Sequence, residues 1–157
     1  MSCVSTQALL TGVELKAWSN FLRAHAAIRR QLDRELVTGH GLTISDFEVL
    51  FRLAKAPNKM LRRVDLAQNV LLTPSGITRL LDGLESCGLV KKEACKSDAR
   101  VVYAKLTDKG QKRLDTASKD HLVSVRDLFR ERFSEDELET LASMLERLPQ
   151  QSTNGDC

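Results

Sequence analysis

The sequence predicts a mainly α domain carrying one β-hairpin, and three observations predict it. Aromatic residues make up only 4% of the 157 residues, and over most of the chain apolar residues recur at spacings of three and four, the period of amphipathic helices. From Leu89 to Leu106 that spacing gives way to β-branched, alternating residues around the polar turn Lys96-Ser97-Asp98-Ala99-Arg100. At 42% hydrophobic and 29% charged, the chain has an ordinary globular composition and a length that suits one domain.

The first helix is predicted over residues 12–37, with Trp18, Phe21, Leu22, His25, Ile28, Leu32 and Leu36 on one stripe and Gly39 or Gly41 ending it. A second starts after Thr43, whose hydroxyl caps while Asp46 answers three residues later. It buries Phe47, Leu50, Phe51 and Leu53 before Pro57 stops it, and Ala56 to Lys59 turns the chain. Val64 to Val70 forms a short third helix, although neither Arg62 nor Arg63 is a capping residue type. The fourth is capped by Thr73, has Pro74 at its first position, buries Ile77, Leu80, Leu81 and Leu84, and exits at Gly88. Its opposite face carries Ser75, Thr78, Arg79 and Asp82.

After the two-stranded hairpin, Thr107 caps a long helix from Asp108 to about Glu131, with Leu114, Ala117, His121, Val125 and Leu128 on its stripe. Ser134 and Glu137 form a capping box for a last helix in which Leu138, Leu141, Leu145 and Leu148 recur at near-heptad spacing until Pro149.

Charge is distributed unevenly. Residues 1–61 carry 8 Lys/Arg against 5 Asp/Glu, residues 62–113 carry 11 against 6, and residues 114–157 carry 5 against 10. A basic middle before an acidic end implies that the middle faces a polyanion. The longest apolar run, Val101 to Ala104, is far too short to span a bilayer. The opening residues carry neither a secretory nor a myristoylation signal, so a cytoplasmic location with reduced thiols is expected. Cys3, Cys87, Cys95 and Cys157 lack the close pairing of zinc or redox centres. No nucleophile elbow, phosphate loop or metal signature suggests an enzyme, and no cofactor is expected.

Two short helices with a tight connection, followed at once by a cationic hairpin, describe a winged helix-turn-helix in which residues 43–106 form the DNA-binding lobe. A recognition helix must bury one face and present small and cationic side chains to the major groove. Thr73, Pro74, Ser75, Thr78 and Arg79 meet that requirement, with Arg79 able to reach a guanine or a phosphate. Lys91, Lys92, Lys96 and Arg100 make the hairpin cationic, and an arginine at its tip can enter a narrow minor groove. Asp98 either orients the Arg100 guanidinium or simply favours the turn.

The chain resembles the multiple antibiotic resistance regulator (MarR) family over about residues 12–148. The resemblance rests on Leu66-Ala67, the run Thr73-Pro74-Ser75-Gly76-Ile77-Thr78-Arg79-Leu80-Leu81-Asp82-Gly83-Leu84-Glu85, Gly88-Leu89-Val90, Ser97-Asp98-Ala99-Arg100 and Leu106-Thr107-Asp108-Lys109-Gly110. It implies a homodimeric transcriptional regulator in which residues 12–37 and 108–148 supply the dimerisation helices and a pseudo-palindromic double-stranded operator is the partner. It places Arg79 on the recognition helix and Arg100 at the minor groove. It also implies a repressor that releases DNA when a small aromatic or phenolic effector binds between the dimer helices and the DNA-binding lobe. Trp18, Phe21, Phe47 and Phe51 are candidates to line such a cleft, with His25 or Arg29 pairing the anion, although a packed core accounts for the same aromatics.

Two further readings remain open. Cys87 and Cys95 sit where oxidation would disturb DNA contact, which would make the chain a thiol-based sensor, whereas Cys3, ahead of the first helix, has no neighbouring cation or base to activate it. A winged-helix module that binds protein rather than DNA is the alternative from a different class. His25 and His121 each interrupt an apolar stripe, but no carboxylate or thiol at ligand spacing joins them into a metal site.

Overall fold

A computed structural model describes residues 9–70 and 72–149. The elements are α1 (Gly12–His40), α2 (Ile44–Lys55), a 3-10 turn at Pro57–Lys59, β1 (Met60–Arg62), α3 (Arg63–Asn69), α4 (Pro74–Ser86), β2 (Val90–Ala94), β3 (Val102–Leu106), α5 (Asp108–Arg130) and α6 (Glu135–Glu146), all predicted except β1 and the 3-10 form of the turn. No helix among the described residues is long and apolar enough to cross a membrane.

Local chemistry sets these boundaries. Thr11, Thr43 and Ser134 each close a capping box, and Thr73 and Thr107 accept from the backbone N–H three residues on. The α1 helix runs past Val37 because Gly39 stays helical and Gly41, at φ 65°, provides the left-handed exit. Arg62, the N-cap residue of α3, makes no capping bond; its guanidinium instead grips Asp65 at 2.8 Å, so the pair Arg62-Asp65 occupies the place of the missing polar cap.

The core gathers Leu36, Leu50, Leu53, Leu66, Ile77, Leu84, Leu89 and Leu114 from the elements between α1 and α5. Five details differ from the sequence expectation. The sheet has three strands in the order β1-β3-β2, because Met60, Leu61 and Arg62 pair with Lys105, Ala104 and Tyr103. Three residues are too few to show an alternating pattern. Phe51 is 46% exposed rather than buried, and Leu80 is only partly buried against the core. The upper part of the α1 stripe, Trp18, Phe21, Leu22 and His25, lies in solvent, with only Leu32 and Leu36 buried. The α6 helix ends at Glu146, leaving Leu148 beyond it, and buries no residue within the chain.

Candidate nucleic-acid interface

The α4 helix presents the face its sequence implies. Ile77, Leu81 and Leu84 are buried in the core, which turns Ser75 and Arg79 outward and leaves Thr78 half-buried at the edge. Thr73 Oγ1 accepts from the Gly76 N–H at 3.1 Å and lies 3.2 Å from Ser75 Oγ, so both hydroxyls cluster where the helix begins, with Pro74 at its first turn. Such an N-terminus offers free backbone N–H groups and positive dipole to a phosphate. Arg79 makes no ion pair among the described residues.

Strand alternation divides the hairpin's lysines between two faces. In β2, Val90 is buried and Lys92 pairs across the ladder with buried Ala104, so Lys92 lies on the side that faces α4. There its ammonium meets Asp82 at 2.8 Å and Glu85 at 3.1 Å, and those carboxylates raise its pKa. The expectation that Lys92 adds to the free charge of the hairpin is therefore corrected: Lys92 ties the hairpin to α4. Lys91 takes the other face, directly opposite Lys105, and is exposed.

At the tip, residues 96–100 are all exposed. The Asp98 carboxylate accepts from the Arg100 backbone N–H at 3.0 Å, and no ion pair forms between Asp98 and the Arg100 guanidinium. Asp98 thus shapes the turn and leaves the arginine side chain to extend. Cys95 Sγ lies 3.1 Å from Ser97 Oγ, and hydrogen bonds from that hydroxyl and from the Ser97 and Asp98 backbone N–H groups lower the thiol's pKa. Cys87, the C-cap of α4, is exposed, whereas Cys3 and Cys157 lie outside the described residues.

The candidate effector residues separate into two groups. Phe47 stacks on Phe51 at 6.3 Å and packs against His121 at 4.5 Å, and Lys55 sits 5.6 Å from the centre of the Phe51 ring. Trp18, Phe21 and His25 instead line the exposed part of α1, and no ring contact among the described residues joins them to the first group. Arg29 is held by Glu48 at 3.0 Å and by Ser45 at 3.2 Å, which corrects its assignment as an available anion partner. His121, which the sequence placed on the apolar stripe of α5 but not among the effector candidates, is the residue missed in this cluster; burial lowers its pKa while Glu35 and Glu48 oppose the shift.

Comparison with known proteins gives this geometry a family. The MarR family model matches residues 42–102, from the loop before α2 to the first residue of β3. The crystal structure of AbsC, a MarR family transcriptional regulator from Streptomyces coelicolor, shares 30% identity and superposes with a TM-score of 0.78 over 87% of this chain and 92% of its own. The chain belongs to the MarR family. Two other relatives are similar over comparable lengths. Sco3205, a MarR family regulator from Streptomyces coelicolor solved in complex with DNA, is 29% identical with a TM-score of 0.80 over 87% of this chain and 86% of its own. The HTH-type transcriptional regulator MhqR of Bacillus subtilis is 29% identical over 139 residues, 88% of this chain and 93% of that protein. MarR proteins are transcriptional regulators and not enzymes, in keeping with a surface built around an exposed helix and a cationic wing.

Proposed function

We propose that this MarR-family chain is a homodimeric repressor that binds a pseudo-palindromic double-stranded DNA site and releases it on binding a small aromatic or phenolic effector. The observation that carries the reading is the pairing of an exposed Arg79 on α4 with an exposed Arg100 at the wing tip, two cations on elements held together by Lys92. Thr73, Ser75, Thr78, Arg79, Lys91, Lys96 and Arg100 make the DNA contacts, with Asp98 shaping the wing. The complex of Sco3205 with DNA supports the reading by analogy. The effector cleft forms where Trp18, Phe21 and His25 of one α1 approach Phe47 and Phe51 in the dimer.

Selection of bound duplexes from a random pool, repeated with candidate aromatic acids, tests it. Arg79→Ala should lose about 1–3 kcal/mol and relax preference at one position in each half-site, since a bidentate base contact supplies that discrimination. Arg100→Ala should weaken binding and lose only the flanking A·T bias. Parental affinity and preference in both variants would sink the DNA-reading proposal, and binding insensitive to salt would favour a protein partner.

A second reading is favoured by Cys95, whose thiol is stabilised as thiolate by Ser97 and the wing backbone. If a redox switch operates, peroxide should release DNA from the parent but not from a protein with Cys87→Ser and Cys95→Ser. Equal release from both would leave the thiols structural.

A further inference from the structure

We propose that a cleft between the end of α1 and the start of α5, remote from the residues that read DNA, binds a phosphoryl dianion, as free phosphate or as the phosphate of a small phosphorylated molecule. The cleft is a shallow, solvent-open depression of about 630 Å³ between Gly39, His40 and Gly41 on one side and Lys109, Lys112 and Arg113 on the other. Spacings of three and four put the three cations on one face of α5. Lys109 lies in its first turn, where the helix dipole disfavours a cation, and Lys112 and Arg113 follow in the second.

No carboxylate among the described residues forms an ion pair with any of the three. Two of the nearby acids have other partners: Gln111 donates to Asp115 at 2.8 Å, and His40 pairs with Asp120 at 2.9 Å, while Asp108 at the start of α5 forms no ion pair with the three cations. Three mutually repelling cations set against a dipole are relieved by an anion that all of them can reach.

The cleft is also preorganised. Lys109 Nζ donates to the Cys87 carbonyl at 2.7 Å and Arg113 Nη1 to the His40 carbonyl at 2.6 Å, so both side chains are fixed while keeping further donors. Gly39 leaves open space where a side chain would stand, and a Cβ on Gly41 would lie 3.9 Å from Arg113 Nη1. A guanidinium fork flanked by two ammonium groups suits a tetrahedral dianion. No Phe, Tyr, Trp, Leu, Ile or Val among the described residues lines the cleft, which separates it from any site for a flat aromatic effector. Its link to α4 is through Cys87, at the end opposite Ser75 and Arg79, so the cleft faces a different occupant from the DNA-reading surface.

Calorimetric titration of the full-length protein with inorganic phosphate, then with glucose 6-phosphate, at ionic strength held constant with chloride, tests the assignment. One saturable site per chain is expected, weakened at least tenfold by Lys112→Gln, whose side chain makes no contact that the fold requires. Tighter binding of glucose 6-phosphate would identify a phosphorylated molecule as the occupant, and equal binding would identify free phosphate. Absence of saturable binding up to tenfold above physiological millimolar phosphate, or equal binding by Lys112→Gln, would overturn the proposal. So would loss of duplex binding by Lys112→Gln in phosphate-free buffer, because the cleft would then be meeting the DNA backbone. These titrations contain no DNA in their first arm, so they stand or fall separately from the reading of the operator.

Discussion

Lys92 and Arg29 show how a residue's chemistry can be plain in the sequence while its assignment is not. Composition marks both as surface cations, Lys92 in the basic lobe and Arg29 on the first helix. Only the partners decide the role: Asp82 and Glu85 draw Lys92 onto α4, and Glu48 with Ser45 draws Arg29 onto α2. The inward face of Lys92 is readable from alternation with Val90, but its carboxylate partners depend on how the hairpin lies against the helix. The exposure of Arg79 and Arg100, by contrast, is legible because they sit on a helix face and a turn whose orientation follows from local pattern. His121 belongs with the first kind, since packing against Phe47 comes from a helix far along the chain. Its depressed pKa means that the unfolded chain takes up a proton more readily than the folded one. The stability tied to neutral His121 is therefore fully present above the unfolded value of about 6.5 and is lost as pH falls from there through the lowered folded value. Urea unfolding between about pH 7.5 and 5 should show a steeper loss of stability on acidification in the parent than in His121→Asn. Parallel slopes would show that other groups account for the acid sensitivity.

Four helix starts are readable because their caps are written in single residues: Thr43, Thr73, Thr107 and Ser134 each start the element predicted for them. The short strand β1 is not, since a three-residue strand takes its identity from its β3 partner and follows two non-glycine residues, Asn58 and Lys59, held at φ 53° and 56°. Two helical glycines carry opposite expectations that helix propensity alone would treat alike. A Cβ on Gly83 meets nothing within 4 Å, so Gly83→Ala should stabilise α4 by about 0.5–1 kcal/mol. A Cβ on Gly110 would collide with the Leu89 carbonyl and fall 2.7 Å from Leu106 Cδ1, both fixed by the ladder and the Thr107 cap. Gly110→Ala should cost about 1–3 kcal/mol, the range for overpacking, and loosen the junction of the wing with α5. Thermal melts of the two variants check this directly: a shift of the same sign in both would mean that the close approach at Gly110 relaxes without penalty.

At the scale of the whole molecule, the chain leaves uncovered the apolar surface that the long helices were expected to use for association. Val13, Leu15, Trp18, Phe21 and Leu22 of α1 and Leu122 and Val123 of α5 are exposed, and a cleft of about 370 Å³ between α5 and α6 is lined by Val125, Phe129, Leu138, Leu141 and Leu145. A 12-residue helix with no fully buried side chain is marginal in water, so α6 needs a further surface to cover it. The second copy proposed above would cover both surfaces at once and supply two DNA-binding lobes. Sedimentation at micromolar concentration should therefore return twice 17.6 kDa. Salt dependence of duplex binding should report the same two-fold arrangement. On that proposal, with Lys92 tied to α4, each lobe keeps Lys91, Lys96 and Arg100 as free wing cations, so a dimer should neutralise the charge of about six phosphates and give a logarithmic salt slope of about −5.4. Leu141→Asp places a carboxylate in the α5–α6 cleft and should give monomers with a slope of about −2.7, half as many phosphates per complex. A parental slope in a demonstrated monomer would show that one lobe makes all the backbone contacts, and the two-fold reading of the site would have to be abandoned.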